Sequence, residues 1–185
     1  MKKMTKKLER QCDIRLSVNL KEVLGLKGCP AIQRSADAAA IFKGVVRIDR
    51  EVVIACALDC KCRLIRWTLV AIGSSHSVSV RIGDVFQDAI KSGAMAIVLI
   101  HNHPSGSLDP SNEDRELTRN VKEAGCLLGY PLLDHVIVAN SGFCSLMPER
   151  IEKLCPSLSD PPNSSAAKRN VRQLRRAMKP KHRLN

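Results

Sequence analysis

Three largely apolar runs stand out along the chain, and each has the length of a buried β-strand. They are EVVIACALD at residues 51–59, RLIRWTLVAIG at 63–73 and AMAIVLIHNH at 94–103. The turn-forming stretch DCKC joins the first two runs, which predicts a hairpin. A fourth run, LLDHVIVAN at 132–140, leads through NSG into GFCSLMP at 142–148, and this pattern predicts a second hairpin.

Between these runs, apolar residues recur at the spacing of amphipathic helices. RSADAAAIFKGVV, at 34–46, is rich in alanine, and we expect Ser35 to cap a helix there. IGDVFQDAIKSG, at 82–93, predicts a helix that turns inward Val85, Ala89 and Ile90. A third helix is expected from Ser111 to Leu128 with Gly129 ending it, since apolar positions recur at Leu117, Val121, Ala124 and Leu128.

The order of these elements predicts a mixed α/β fold, α+β-like, with a central sheet flanked by helices. We divide the chain into a basic N-terminal extension (1–30), a domain (31–155) and a basic, disordered C-terminal tail (156–185). The net charge of +12 is carried by the two ends, which contribute +5 and +7, while residues 31–155 are neutral. Basic tails raise the affinity for any polyanion, so non-specific binding of DNA or RNA is a possible partner interaction.

Composition narrows the class of protein further. No apolar run approaches the roughly 20 residues that span a bilayer, and no apolar stretch of a secretion signal follows MKKMTKKLER. We therefore expect a soluble, cytoplasmic protein with no membrane partner. Eight cysteines are present, but CALDCKC lacks the second matching pair of a structural zinc site, so reduced thiols are expected.

The candidate chemistry lies where the third apolar run ends, in HNHPSGSLDPSNED at 101–114. Side chains two residues apart on a strand point the same way, so His101 and His103 can aim at one point while Asn102 faces away. A catalytic zinc site takes three protein ligands and keeps one open position. The nearby candidates for the third ligand are Asp109, Glu113 and Asp114, the last of which lies one turn into the predicted helix.

Each part of this stretch also has a purely structural interpretation. A lone H-x-H is weak evidence for a metal, and a histidine with a proline at a strand end can be a turn. Ser111 and Asp114 match a helix N-cap and its capping-box partner. The combined pattern H-x-H-x7-S-x2-D is far more specific than its parts.

This pattern resembles the signature of the JAB/MPN (JAMM) metalloproteases. The longer string HNHPSG…PS..D, followed by LLDHVIVA, resembles the bacterial RadC-like branch over roughly residues 31–150. The resemblance implies a cytidine-deaminase-like JAB/MPN domain. It also implies one zinc ion per chain, held by His101, His103 and Asp114 with a water in the fourth position.

The resemblance further implies catalytic roles for two residues. Glu51, at the start of the first strand, matches the glutamate that acts as general base, whereas its neighbours Asp49 and Asp59 do not match that position. Ser111 would donate a hydrogen bond to the developing oxyanion or orient the water. Asp134 and His135, in LLDHVIVA, match a recurrent RadC-like feature and are interpreted first as structural or as support for the ligands.

Two features depart from the RadC-like pattern. Ile82-Gly83 stands where the branch usually has Pro-Arg, which puts any contact of that arginine in doubt. About 30 residues precede the domain, too few for the usual helix-hairpin-helix region, so its DNA contacts are not carried over.

Three functions compete at this point. The first is a zinc metallohydrolase, a JAMM-type metallopeptidase, that cleaves a peptide or isopeptide-like amide of an unknown protein substrate. The second is a non-catalytic nucleic-acid-associated factor, related to DNA repair or mobile elements, that binds through its basic tails. The third, a metal-dependent nuclease, is disfavoured because such sites more often show several carboxylates and two metals. An intact Glu51 favours catalysis.

Overall fold

The computed structural model describes residues 30–74 and 79–148, which are organised around one five-stranded sheet. Its strands are β1 (Val52–Leu58), β2 (Leu64–Ile72), β3 (Ala96–Asn102), β4 (Leu132–Ala139) and β5 (Gly142–Ser145). They lie in the order β2-β1-β3-β4-β5, with β3 and β4 parallel and the other neighbours antiparallel. Both predicted hairpins are confirmed, and so is the mixed α/β architecture.

Helices cover both faces of this sheet. They are α1 (Ser35–Ile41), a short 3-10 helix (Lys43–Arg47), α2 (Ile82–Ser92) and α3 (Asn112–Leu128). The single helix expected over 34–46 is thus two, because the chain tightens after Phe42.

The predicted cap of α1 is wrong. Arg34 takes the N-cap position, and the Asp37 carboxylate accepts its backbone N–H at 2.9 Å. Ser35 is the first helical residue, and its hydroxyl donates to the buried Asp134 carboxylate at 2.6 Å. The Ser35 side chain therefore bonds a distant residue of the fold, Asp134, and does not cap the helix.

Strand β1 is buried along its whole length, and its successive side chains alternate between two separate cores on the two faces of the sheet. Val52, Ile54, Cys56 and Leu58 pack on the face covered by α1 and the 3-10 helix, which we call the α1 face. Val53, Ala55 and Ala57 pack on the face covered by α2 and α3, which we call the α2/α3 face. The same alternation places Ile97 and Leu99 of β3, and by continuation His101, on the α2/α3 face.

The two long helices differ from the expected pattern at their ends. Val85 and Ala89 of α2 are buried as predicted, but Ile90 is 52% exposed and Phe86 takes the inward position. In α3, Val121 is buried, whereas Leu128 is 50% exposed. Gly93 and Gly129 end the two helices in the left-handed conformation, as expected.

The cysteines follow the expected pattern only in part. Cys56, Cys60 and Cys144 are free thiols, but Cys62 is disulfide-bonded, so the prediction of reduced thiols fails there. Among residues 30–74 and 79–148, no helix is long and apolar enough to cross a membrane.

Candidate metal centre

His101 and Glu51 meet at one end of the sheet because β1 and β3 run antiparallel. The register pairs His101 with Val53, which brings the residues just before β1 beside the end of β3. The Glu51 Oε2 atom lies 3.8 Å from His101 Nε2. The side chains of Glu51 and His101 are 12% and 2% exposed, so the pair is largely screened from solvent.

Asn102 fixes the segment that carries Glu51. Its side-chain oxygen accepts the Val52 N–H at 2.7 Å, and its amide nitrogen donates to the carbonyls of Ile48 and Arg50 at 3.3 and 3.0 Å. These partners bracket Glu51 along the chain. Asn102 faces away from the imidazoles, as expected, and from the α1 face it sets the position of the glutamate.

His103 is oriented by the loop that follows β3. Its Nδ1 atom lies 3.0 Å from the Ser107 carbonyl oxygen, which can only accept, so Nδ1 carries the proton. Its Nε2 atom is left to face the Asp114 Oδ2 atom at 3.3 Å. The neighbouring Asp114 carboxylate raises the pKa of His103.

Asp114 reaches the centre from the first turn of α3. The N-cap residue Ser111 accepts the Asp114 N–H at 3.0 Å, and its own N–H and hydroxyl donate to Asp114 Oδ2 at 2.9 and 2.7 Å. The capping-box interpretation is therefore correct, and it also aims the carboxylate at the strand end. Burial alone would raise the Asp114 pKa, but the imidazoles and the Ser111 hydroxyl hold it well below its usual range.

His101 lacks the hydrogen bonds that a buried imidazole normally makes. Its Nδ1 lies 2.8 Å from Asp114 Oδ1, yet no hydrogen-bond geometry joins them, and neither ring nitrogen makes a hydrogen bond within the described residues. A buried polar atom left unpaired costs about 1–3 kcal/mol. Two imidazoles beside two carboxylates match the nitrogen and oxygen ligands of zinc, so the residues present fit this metal.

His135 supports the centre from β4. Its ring stacks on His101, with centroids 5.9 Å apart and planes at 10°. The Thr118 hydroxyl donates to the Asp114 carbonyl at 2.6 Å, so Thr118 must accept from His135 Nδ1 at 2.7 Å. This chain links β4 to the turn of α3 that carries Asp114. Burial lowers the pKa of His135 to about 3.

The predicted site residues come together with one ambiguity. Ligand atoms of Glu51, His101 and His103 all lie within 4.8 Å of one another. Asp114 contacts both imidazoles, but it faces Nδ1 of His101 whereas Glu51 faces Nε2. Distances alone therefore do not decide which carboxylate is the third ligand.

The rival residues lie apart from this arrangement or at its margin. Asp59 sits in the β1–β2 turn, where its carboxylate accepts from Arg63 and from the Lys61 N–H. Asp49 is exposed. Asp109 and Glu113 line the same cavity as the centre. Asp59 is thereby placed at the opposite end of β1 from the imidazoles.

Asp134 has a structural role. Its carboxylate accepts from the hydroxyls of Ser35 and Ser145 and from the backbone of His135 and Met147, on the α1 face. It thus ties α1 and the end of β5 to β4. At Gly83, which departs from the RadC-like pattern, a Cβ would meet nothing within 4 Å, so a side chain would fit there.

Sequence reasoning missed three contributors, Asn102, Ser107 and Thr118. Asn102 carried a signal, because an amide on the buried side of an apolar strand needs partners. Ser107 acts through its carbonyl, and any residue could supply that group. Thr118 lies one turn beyond Asp114, and a hydroxyl bonded to the carbonyl four residues earlier is an ordinary helical feature.

The fold and this centre define a class: a mixed-sheet domain with histidines and carboxylates gathered at a strand end. The family model for the RadC-like JAB domain matches residues 32–151, and the chain belongs to that family. Similar proteins include the UPF0758 protein of Rubrobacter xylanophilus, 40% identical over 117 residues, which are 63% of this chain and 52% of that protein.

Two further relatives give the same result. The UPF0758 protein of Thermotoga maritima is 40% identical over 105 residues, which cover 57% of this chain and 47% of the relative. That of Syntrophomonas wolfei is 45% identical over 98 residues, covering 53% and 42%. The chain thus spans about half the length of these curated relatives.

Proposed function

We propose that this domain is a zinc-dependent hydrolase that cleaves a peptide or isopeptide-like amide, with zinc held by His101, His103 and Asp114. The observation that carries the proposal is the buried His101 imidazole, whose nitrogens face two carboxylates without a hydrogen bond. In an apolar sheet such a group is retained at a cost in stability, and a bound metal would offset that cost.

Asp114 is proposed as the third ligand because it approaches both imidazoles and is held there by the helix cap. The Ser111 hydroxyl already gives its proton to Oδ2, which leaves Oδ1 beside His101. Ser111 accordingly orients Asp114 in this structure. Its expected hydrogen bond to an oxyanion stays a prediction, since it requires the hydroxyl to turn.

Glu51 is proposed as the general base. Zinc bound at this centre would polarise the amide carbonyl and lower the pKa of water toward about 7. Glu51, fixed by its backbone neighbours, would accept the proton of the attacking water at a carboxylate oxygen and pass it to the leaving nitrogen. The 3.8 Å distance from the Glu51 carboxylate to His101 Nε2 supports this role.

Glu51→Gln tests the assignment because it removes proton transfer while keeping the size of the side chain. The variant should bind zinc as the parent does and lose at least about a hundredfold in amide hydrolysis, the usual contribution of a general base. Zinc content by elemental analysis and turnover of a panel of peptide and isopeptide amides are the two measurements.

Asp114→Asn is the matched comparison, since it makes the same chemical change on the other carboxylate. It should weaken zinc binding itself. Loss of zinc in Glu51→Gln with retention in Asp114→Asn would exchange the two roles. Parental turnover by Glu51→Gln would mean that Glu51 is not the base.

A further inference from the structure

The centre lies in a cavity of about 670 Å³ that extends well beyond the proposed ligands. Its walls come from four parts of the chain: Glu51 just before β1, the end of β3 with the loop after it, one stripe of α3 and the residues that lead into α2. The stripe consists of Glu113, Glu116, Leu117 and Asn120, which follow each other at helical spacing. The cavity therefore has room for a ligand that continues past the reacting bond.

The charge of this lining is one-sided. Residues 30–74 and 79–148 hold twelve acidic side chains and twelve lysines or arginines. None of the twelve lysines and arginines lines the cavity, whereas five of the acidic side chains do. These five are Glu51, Asp109, Glu113, Asp114 and Glu116. A cleft lined by a single sign of charge concentrates its potential and selects ligands of the opposite sign.

This imbalance survives the proposed metal. A doubly charged cation would balance Glu51 and Asp114, and Asp109, Glu113 and Glu116 would still be left. Arg119 approaches Glu116 at 3.6 Å, but both side chains are more than 60% exposed, and such pairs contribute little. The buried His101 imidazole, which makes no hydrogen bond and which the proposed function assigns to zinc, lines the same cavity, so the amide to be cleaved would lie beside this acidic lining.

The shape of the cavity favours a polypeptide. From Glu113 to Asn120 the α3 stripe is about 10 Å long at 1.5 Å per residue, which matches about three residues of extended chain. The apolar side chains of Val80, Ile82 and Leu117 lie among the polar ones. They suit the aliphatic stem of a lysine or arginine whose charged end reaches a carboxylate.

We infer that the cavity receives a polypeptide segment that carries lysine or arginine beside the amide to be cleaved. The inference rests on the proposed function and adds the charge of its substrate. A nucleic-acid strand is the poorer occupant, because its phosphates would face five carboxylates.

The test uses the full-length, zinc-loaded chain and short fluorescent peptides that differ only in carrying lysine or glutamine. The lysine peptide should bind about tenfold more tightly, although the chain itself has a net charge of +12. Glu113→Gln with Glu116→Gln should remove most of that preference. Asp84→Asn with Glu123→Gln removes the same charge from residues outside the cavity lining and should change binding less than about twofold.

Cleavage of the same peptides, followed by mass spectrometry, separates this inference from the proposed function. Binding of the lysine peptide without cleavage by any preparation would end the hydrolase proposal and keep the charge preference. Equal binding of the two peptides, or equal losses in the two double variants, would overturn the inference even if both peptides were cut. Tighter binding of an oligothymidylate by the cavity variant than by the control variant would make a nucleic acid the occupant, with the same consequence.

Discussion

His101 and Asn102 are neighbours on β3, yet they meet opposite conditions on the two faces of the sheet. Asn102, on the α1 face, makes three hydrogen bonds to the backbone. His101, on the α2/α3 face, makes none through its ring nitrogens. Both side chains are at most 2% exposed, so the difference is not one of access to water.

The same division recurs on the adjacent strand. Asp134, on the α1 face, has every expected partner, whereas the Nε2 atom of His135, on the α2/α3 face, has none among the described residues. Buried polar groups nearly always have hydrogen-bond partners. A buried side chain with all its hydrogen bonds made therefore indicates a structural role, whereas buried nitrogens without hydrogen bonds indicate a site that binds a ligand. Position on the sheet thus separates side chains that hold the fold from those that hold something else.

The largest effect is expected on zinc affinity when both proposed imidazole ligands are removed. His101→Ala with His103→Ala should lower zinc affinity by more than about a thousandfold, because structural and catalytic sites derive most of their binding from such ligands. Competition with a chromophoric chelator measures the affinity. If the double variant kept its zinc, the ligands would be cysteines and the two faces would not differ in the proposed way.

A pair of leucine substitutions compares the faces directly through stability. Asn102→Leu leaves the carbonyls of Ile48 and Arg50 and the Val52 N–H unpaired, so it should cost about 2–5 kcal/mol of unfolding free energy. His101→Leu breaks no hydrogen bond, although it removes the imidazole beside the Asp114 and Glu51 carboxylates, so the zinc-free protein should lose clearly less stability than Asn102→Leu does. Urea unfolding of both variants gives the answer, and similar losses in the two would remove the distinction.

A further effect, spread over several pH units, concerns the titration of His135. The folded-state pKa of His135, about 3, lies below its unfolded value near 6.5, so the unfolded chain binds the extra proton between these limits. Stability present above pH 6.5 should therefore be lost toward pH 3, at a slope up to about 1.4 kcal/mol per pH unit.

His135→Gln isolates this contribution, because it cannot take up that proton. In zinc-free protein, the difference between the unfolding free energies of parent and variant should become less favourable to the parent as pH falls. His103 acts in the opposite direction, since its pKa is raised, and it is common to both proteins. Parallel pH profiles would show that His135 is not held neutral by burial.

The sequence was a good guide to the strands and a weaker guide to helix faces. Continuous apolar runs identify β1, β3 and β4 because those strands are covered on both sides. Helix periodicity failed at Ile90 and Leu128, which are half exposed near the C-terminal ends of α2 and α3. Ser35 was assigned to a cap because its partner, Asp134, lies 99 residues away.

The candidate site divides in the same manner. The spacing of His101 and His103 on a strand predicts their proximity, whereas Asp114 was one of three nearby candidates that the resemblance alone separated. Glu51 is assigned by resemblance alone, since no local sequence pattern connects it to residue 101. The structure supplies the connection through Asn102, whose side chain bonds the backbone on both sides of Glu51. The hypothesis of nucleic-acid binding through residues 1–30 and 156–185 lies outside the described residues and stays a prediction.

The partners of Asn102 are all main-chain atoms, and this affects how the protein can vary. A carbonyl or N–H is present at positions 48, 50 and 52 whatever side chains stand there, provided that position 52 is not proline. The exposed residues Asp49 and Arg50 can therefore change without moving Glu51. Mutational tolerance should be high beside the glutamate and low at Asn102, so libraries randomised at 49 and 50 should preserve the centre, whereas a library at 102 should not.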